Sequence, residues 1–243
     1  MRNIVLEISY DGTRYSGWQI QKNATTIQDI IQSAVSEIVK HPVKLLGSGR
    51  TDSGVHAIGQ VASFKTESSM SQDEFKRAIN RLVPNDIRIV RAEAVSDDFH
   101  PRYSAKRRWY RYIISTHADP VPFFNNYSFW VRRRLDVDLL NRYSGRLIGS
   151  HDFRNLSTIE ERDVPIRNVI ECGFMRRNDF VVLDIVANSF LRKMVRSIVG
   201  TFLALEKRGE SPEMIDEILV SRERSAFVQT SYAGGLYLLK VFY

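Results

Sequence analysis

The residues best suited to chemistry are concentrated in one stretch, GSGRTDSGVHA, residues 47–57. Within it, a cation, a carboxylate and an imidazole lie close together: Arg50, Asp52 and His56. Glycines around them let the backbone turn tightly and approach a ligand closely. An ionised carboxylate in such a loop can act as a nucleophile or as a general base. The same spacing also suits a hairpin loop with solvated charges, so the pattern alone leaves both interpretations open.

Two common kinds of site do not fit this stretch. A phosphate-binding loop of the nucleotide-triphosphatase type would end in Gly-Lys-Ser/Thr, and that ending is missing. His56 has no nearby His or Cys with which to share a metal ion. Cys172 is the only cysteine, so no intrachain disulfide can form, as expected of a protein from a reducing compartment.

The composition indicates a soluble, basic globular protein. Of its 243 residues, 43% are hydrophobic and 26% are charged, which allows one large domain or two ordinary ones. The net charge of +7 favours a polyanionic partner. The N-terminus lacks a signal-peptide core, and Arg192, Lys193 and Arg196 interrupt the longest apolar helix candidate. We therefore expect a cytoplasmic protein without a membrane span.

The elements that must position the loop show strand and helix patterns in turn. Residues 3–10 alternate between polar and apolar. Apolar residues recur at helical intervals after Thr25 and after Ser71, each of which begins a capping-box spacing. Further strands are predicted over 60–65 and 87–95. This order predicts an α+β domain of the ferredoxin-like, split βαβ type, with helices on one face of an antiparallel sheet.

The second half repeats this layout with longer elements. The polar, Pro-interrupted stretch 99–105 marks a boundary, so we predict an N-terminal α+β domain over 1–104 and a C-terminal α+β domain over 105–243. The segment 149–153 is predicted to be a loop. The main elements predicted for the second half are a basic aromatic strand over 106–114, a hairpin over 166–175 and 180–187, a helix over 190–207 capped by Asn188-Ser189, and a last strand over 236–243.

Motifs spread over nearly the whole chain resemble those of the tRNA pseudouridine synthase A family. These motifs are YDGTRYSGWQ, TTIQDIIQSA, GSGRTDSGVHA, FHPRYSAKRRWYRY, GSHDF, ANSFLRKMVRSIVG and GLYLLKVFY. One departure is Ser231–Gly234, where family members often have an Ala-Pro-rich approach to the last strand. The wide spread of matches indicates a full-length member.

The resemblance implies a fold and an activity. The pseudouridine synthase fold has two such domains with their sheets side by side and a central active-site cleft, the N-terminal domain carrying the aspartate loop. The implied reaction converts uridine to pseudouridine in the anticodon stem-loop of tRNA, at positions 38, 39 and 40. As an isomerisation, it needs no cofactor and no metal. The family also implies a homodimer whose basic clefts hold the tRNA.

The resemblance further implies roles for individual residues. Asp52 is the expected catalytic carboxylate, although the sequence leaves open whether it attacks the sugar, attacks the base or takes the C2′ proton. Arg196 is expected to pair with it, and Tyr110 to form a platform for the flipped base. Arg50 would enter the space that the base vacates, and Leu236 would form an apolar floor. Contacts to phosphates are expected from Arg107, Arg108, Arg111, Arg192 and Lys193.

Two other functions compete with this one. A non-catalytic RNA-binding module of tandem ferredoxin-like domains explains the charge and the aromatic residues equally well. It does not explain Asp52, because a carboxylate facing an anionic ligand weakens binding. A metal-dependent nuclease would need a cluster of carboxylates or histidines that the sequence lacks.

Overall fold

The computed structural model describes residues 1–159, 164–221 and 223–243. It divides into two compact units. Unit 1 comprises Met1–Lys106 together with Leu238–Tyr243, and unit 2 comprises Arg107–Tyr237. The sequence pattern places 238–243 in the second domain, whereas in the structure these residues belong to unit 1. None of the helices in the described part of the chain has the length and apolarity needed to cross a bilayer.

Unit 1 is an α+β unit built on an antiparallel sheet. Its elements in chain order are β1 (Arg2–Tyr10), α1 (Ile27–Val39), β2 (Leu46–Gly47), β3 (His56–Thr66), α2 (Gln72–Leu82) and β4 (Ile87–Val95). Strand β1 lies between β4 and β3, and the short β2 pairs with β3. The edge beyond β3 is occupied by β10 (Leu236–Phe242), the last strand of the chain.

The core of unit 1 follows from the alternation seen in its sequence. In β1, Ile4, Leu6 and Ile8 are fully buried, while the residues between them are partly exposed. Phe64 of β3 meets Phe75 of α2 edge-on, with ring centroids 5.6 Å apart. Helix α2 therefore packs on the buried face of the sheet, as the predicted helix-on-sheet arrangement requires.

Unit 2 is a second α+β unit. Its elements are β5 (Arg107–Ser115), β6 (Phe129–Trp130), α3 (Val137–Gly145), β7 (Gly149–Asp152), β8 (Ile166–Arg177), β9 (Phe180–Ala187), α4 (Met194–Arg208) and α5 (Glu213–Val220). The sheet order is β5-β9-β8-β7 with antiparallel neighbours, and β6 pairs with β5 in parallel. The predicted α+β class is confirmed.

The core of unit 2 is aromatic. Phe202 of α4 packs against Tyr143 of α3 and Phe174 of β8, with ring centroids 5.5 and 6.2 Å apart. Tyr112 of β5 is fully buried, on the same strand face as the buried Tyr110. Burial therefore alternates along the predicted basic aromatic strand.

Two predicted elements of unit 2 differ from the structure. The helix predicted from Phe190 begins only at Met194, after Lys193 in a left-handed conformation with φ of 60°. Just before this helix, the Arg192 carbonyl accepts from the Thr158 amide at 2.9 Å, so it bonds outside the helix. The predicted loop 149–153 is largely strand β7, because its backbone pairs with β8.

Candidate functional site

Asp52 lies in unit 1, in the loop between β2 and β3. The Val55 amide donates to the Asp52 carbonyl at 3.2 Å and closes a turn around the aspartate. Asp52 itself is half-buried, and Arg50, two residues before it, is exposed. The loop therefore leaves Asp52 partly exposed and Arg50 in solvent.

The segment Asp11–Trp18, which we call the brace, is hydrogen-bonded to this loop. The Trp18 amide donates to the Thr51 carbonyl at 3.1 Å, and the Ser53 hydroxyl donates to the Tyr15 carbonyl at 3.0 Å. Just before the brace, the Tyr10 hydroxyl lies 2.8 Å from the Thr51 hydroxyl in a buried hydrogen bond. Residues on both sides of Asp52 are thus tied to a neighbouring segment.

Two glycines let the brace approach the loop. A Cβ on Gly12 would lie 2.0 Å from the Val55 carbonyl oxygen. A Cβ on Gly17 would lie 2.6 Å from the Thr51 carbonyl oxygen, and Gly17 also has a φ of +89°. At both positions only glycine allows the close approach, and at Gly17 the positive φ also favours glycine. The glycines of the YDG and GW motifs are therefore needed for contact with the Asp52 loop.

His56 joins the same assembly as a buried contact. Its side chain is almost fully enclosed, and its Nδ1 accepts a hydrogen bond from the Gly12 amide at 3.1 Å. The Asp11 carboxylate also lies 3.1 Å from Nδ1. These contacts make His56 a residue that positions the loop.

The brace is in turn anchored elsewhere in unit 1. The Tyr15 hydroxyl donates to the Asp86 carboxylate, and the Arg14 guanidinium pairs with the same carboxylate. Burial by itself would raise the pKa of Asp86, but these hydrogen bonds outweigh it, and the pKa lies below its usual value. Tyr15 and Trp18 are buried, so their contribution is to support the loop.

In unit 2, Tyr110 lies on β5, opposite Ile185 of β9. Its side chain is buried, with 7% of the residue exposed. The ring meets Phe190 edge-on, with centroids 5.0 Å apart. A sheet residue held in this way is rigid enough to present its ring in one orientation.

Arg196 lies in the first turn of α4 and is half-buried. Its Nε donates to the Ser231 carbonyl at 2.9 Å, and the Ser231 amide donates to the Arg196 carbonyl at 3.0 Å. The Tyr112 hydroxyl donates to the Tyr232 carbonyl at 2.6 Å. The stretch that departs from the family pattern is therefore fixed from two sides, directly before the buried Leu236.

The arginines expected to contact phosphates differ in exposure. Arg108 is buried and donates to the Asn188 carbonyl at 2.9 Å. Arg111 makes a bidentate pair with Asp184 at 2.9 and 2.8 Å, and the Trp109 indole donates to the same carboxylate. Arg107 and Arg192 are exposed, and Lys193 is half-buried. The geometry thus favours the last three over Arg108 and Arg111 as phosphate contacts.

The sequence analysis predicts site roles for Asp52, Arg50, Tyr110, Arg196 and Leu236, but it does not predict which residues hold the Asp52 loop in place. The residues that hold the loop are Tyr10, Gly12, Gly17, Thr51 and His56. The available signal was the pair of glycines in YDGTRYSGW, since each occupies a position that only a close backbone approach explains. The predicted pair between Asp52 and Arg196 joins residues of different units and stays a prediction.

Comparison with known proteins then identifies the family. A family model described as tRNA pseudouridine synthase matches residues 8–104 and 144–243. The chain belongs to the tRNA pseudouridine synthase family. Membership makes it an isomerase that acts on tRNA, so the predicted enzyme class is confirmed.

Individual relatives in this family match over their full length. Proteins described as tRNA pseudouridine synthase A are 39% identical in Thermoanaerobacter sp. (strain X514), 40% in Borrelia duttonii (strain Ly) and 41% in Caldicellulosiruptor saccharolyticus. Each alignment covers 100% of this chain and 100% of the relative. The full coverage means that both units belong to the family's common architecture.

A solved structure described as a Cbf5-Nop10-Gar1 complex shows a much weaker likeness. It is 14% identical, with a TM-score of 0.34, and the match covers 82% of this chain and 54% of that one. A likeness at this level is too low to indicate a common fold. Among the described residues, no group of His, Cys, Asp and Glu side chains has the arrangement of a metal site.

Proposed function

We propose that this enzyme converts uridine to pseudouridine in the anticodon arm of tRNA, at positions 38, 39 and 40, with Asp52 as its catalytic carboxylate. The observation that carries the proposal is the braced loop of unit 1. It presents one half-buried aspartate between Thr51 and Ser53, both of which are tied to the brace. A reacting carboxylate must be held in a fixed position, because correct orientation of the reacting groups supplies much of an enzyme's rate enhancement.

The reaction requires little beyond such a group. The bond from N1 of uracil to C1′ of the ribose breaks, the base turns, and C5 bonds to C1′. The proton on C5 is released and N1 gains one, so atoms and electrons balance without an oxidant or a reductant. Asp52 can serve by attacking C1′, by attacking the base or by removing the C2′ proton, each of which needs the ionised carboxylate.

Groups of unit 2 would complete the site in this proposal. Arg196 would keep Asp52 ionised, since a nearby cation favours a charged carboxylate. Tyr110 would stack on the flipped uracil, Leu236 would lie beneath it, and Arg50 of unit 1 would fill the space left in the stem. The contacts of two of these residues support the proposal. Tyr110 is held by an edge-on contact with Phe190, and Arg196 by its hydrogen bond to the Ser231 carbonyl.

The direct test of the activity is the release of tritium from C5-labelled uridine in tRNA. Wild-type protein should release it from transcripts whose uridines lie at positions 38 to 40. Transcripts with those positions changed to cytidine provide the matched control and should release none above background. Release from both sets alike would contradict the anticodon-arm assignment, and release from neither would contradict the activity.

Tyr110 offers a way to separate binding from turnover at one residue. Tyr110→Phe keeps the ring face and should bind tRNA about as well as wild type. Tyr110→Ala removes a platform worth on the order of 1–3 kcal/mol for a stacked base and should bind more weakly. Filter binding and C5 tritium release are measured for both variants, with circular dichroism as the folding check. A folded Ala variant with wild-type affinity and turnover would make Tyr110 a sheet residue only.

Affinity for tRNA is expected to fall steeply with salt. The net charge of +7 and the exposed Arg107 and Arg192 favour contacts to several phosphates, each of which releases counterions on binding. Filter binding between about 50 and 200 mM salt should show a loss of at least tenfold. A flat response would be incompatible with phosphate contacts as the main source of affinity.

The proposal extends to assembly and location. We propose a homodimer, as the family resemblance implies, acting in the cytoplasm where its tRNA substrate is found. Sedimentation velocity of the RNA-free protein measures the first point. A monomer at micromolar concentration, with full activity, would overturn it.

A further inference from the structure

Unit 2 contains a groove of about 710 Å³, and Ser231 is the one lining residue to which a role was given above. Three segments line it: residues 129–133 around β6, α4 from Gly200 onward, and residues 229–231. The lining residues are Phe129, Trp130, Val131, Arg132, Arg133, Gly200, Leu203, Ala204, Lys207, Arg208, Gln229, Thr230 and Ser231.

The charged residues that line this groove all have the same sign. Two cations come from the segment 129–133 and two from α4, and no carboxylate lines the groove. The charge of Arg133 is neutralised by an ion pair with Glu206, and Arg133 also donates to the Leu203 carbonyl at 3.1 Å. Arg132 and Lys207 are exposed, and neither has an ion pair within the described part of the chain.

Stabilisation of the helix explains only part of this charge. Lys207 and Arg208 lie in the last turn of α4, where cations interact favourably with the helix dipole. Arg208 also lies over the Phe227 ring, with its guanidinium carbon 4.9 Å from the centroid. Arg132 lies on the segment 129–133, outside any helix, so the dipole of α4 does not account for it. Cations that two separate segments contribute beside apolar residues indicate an anionic ligand.

The groove is also connected to the proposed site. The carbonyl of Ser231, a lining residue, accepts from the Arg196 Nε at 2.9 Å, and the Ser231 amide donates to the Arg196 carbonyl at 3.0 Å. The segment 229–231 lies directly on α4, since a Cβ on Gly200 would come within 2.2 Å of the Gln229 carbonyl oxygen. The groove is therefore lined both by the segment that holds Arg196 and by α4 as far as Arg208.

We propose that this groove binds the sugar-phosphate backbone of the tRNA outside the target nucleotide. Its cations, among them the exposed Arg132 and Lys207, suit phosphates, and its apolar residues Phe129, Trp130 and Leu203 suit riboses. Such contacts position the substrate without reading its sequence. The inference rests on the proposed tRNA substrate and extends its footprint along α4.

The test reverses one cation on each of the two basic lining segments with Arg132→Glu/Lys207→Glu. A matched control, Arg142→Glu/Arg177→Glu, reverses two exposed cations of unit 2 that lie outside the groove. Filter binding to tRNA is measured across about 50–200 mM salt, together with kcat and KM for tritium release. We expect Kd and KM to rise about tenfold or more, and the slope of log K against log salt to shrink by about two. The control should retain wild-type values.

Three results would overturn the inference. A folded groove variant with wild-type affinity and salt slope would show that no phosphates bind there. An equal loss in the control would show a general effect of charge. A changed sedimentation coefficient of the RNA-free groove variant would make the groove an interface between copies of the chain. Failure of the wild-type protein to release tritium rejects the proposed function instead, and the binding data still decide the fate of the groove.

Discussion

Asp52→Asn should lower C5 tritium release from tRNA by roughly 10³-fold or more. The variant should keep tRNA affinity within about twofold of wild type, because the amide nearly retains the shape and removes a negative charge that faces an anionic ligand. Single-turnover release and filter binding measure the two quantities separately. The brace contacts of Thr51 and Ser53 do not involve the Asp52 carboxylate, so the fold should persist.

A second aspartate provides the control for that variant. Asp152 is also half-buried and adjacent to a histidine, but its carboxylate accepts locally from the Arg154 amide and side chain. Asp152→Asn should therefore keep most of the activity. If Asp52→Asn releases tritium at the wild-type rate, or if the Asp152 variant loses activity equally, Asp52 is not the catalytic group.

Gly17→Ala should lower kcat by roughly 10- to 100-fold with a smaller effect on tRNA affinity. The new Cβ would lie 2.6 Å from the Thr51 carbonyl oxygen, so the neighbouring loop must move by a sizeable fraction of an ångström. A misplacement of about 1 Å can cost about 10²-fold in rate. The measurement is kcat and KM for tritium release, with the thermal midpoint recorded for each variant.

Gly209→Ala is the control that distinguishes displacement of the Asp52 loop from the general effect of backbone strain. Gly209 also has a positive φ, of +68°, but a Cβ added there, at the end of α4, would have no neighbouring atom within 4 Å. Both alanine variants should lose stability from a strained backbone. Only the Gly17 variant should lose kcat. Equal kcat in the two variants would mean that the brace does not position Asp52.

Local signals were sufficient for much of the fold. The capping box predicted at Ser71 forms, with hydrogen bonds in both directions between Ser71 and Glu74. The alternation in β1 correctly indicated a strand with one buried face. These features depend on residues a few positions apart, so the sequence contains all the groups that make them.

Predictions failed where a distant partner competes for the same groups. Thr26 caps α1 without a side-chain hydrogen bond. The Gln28 side chain of the predicted box instead accepts from the Ile20 amide at 3.1 Å and donates to the Leu45 carbonyl at 2.8 Å. Phe190 was likewise predicted to begin a helix, but its ring packs against Tyr110 and the helix starts four residues later. In each case a tertiary contact replaced the local one.

The sequence by itself determined the residue types of the site, the loop that carries Asp52 and the resemblance that led to the family. Only the tertiary structure decided which residues hold that loop. Tyr10 and Thr51 are 41 positions apart, yet their hydroxyls share a buried hydrogen bond. Arg107 and Arg111 look alike in the sequence, but Arg111 meets Asp184 across the sheet. Such partners are chosen by strand pairing and close packing, which bring together groups that no local pattern relates.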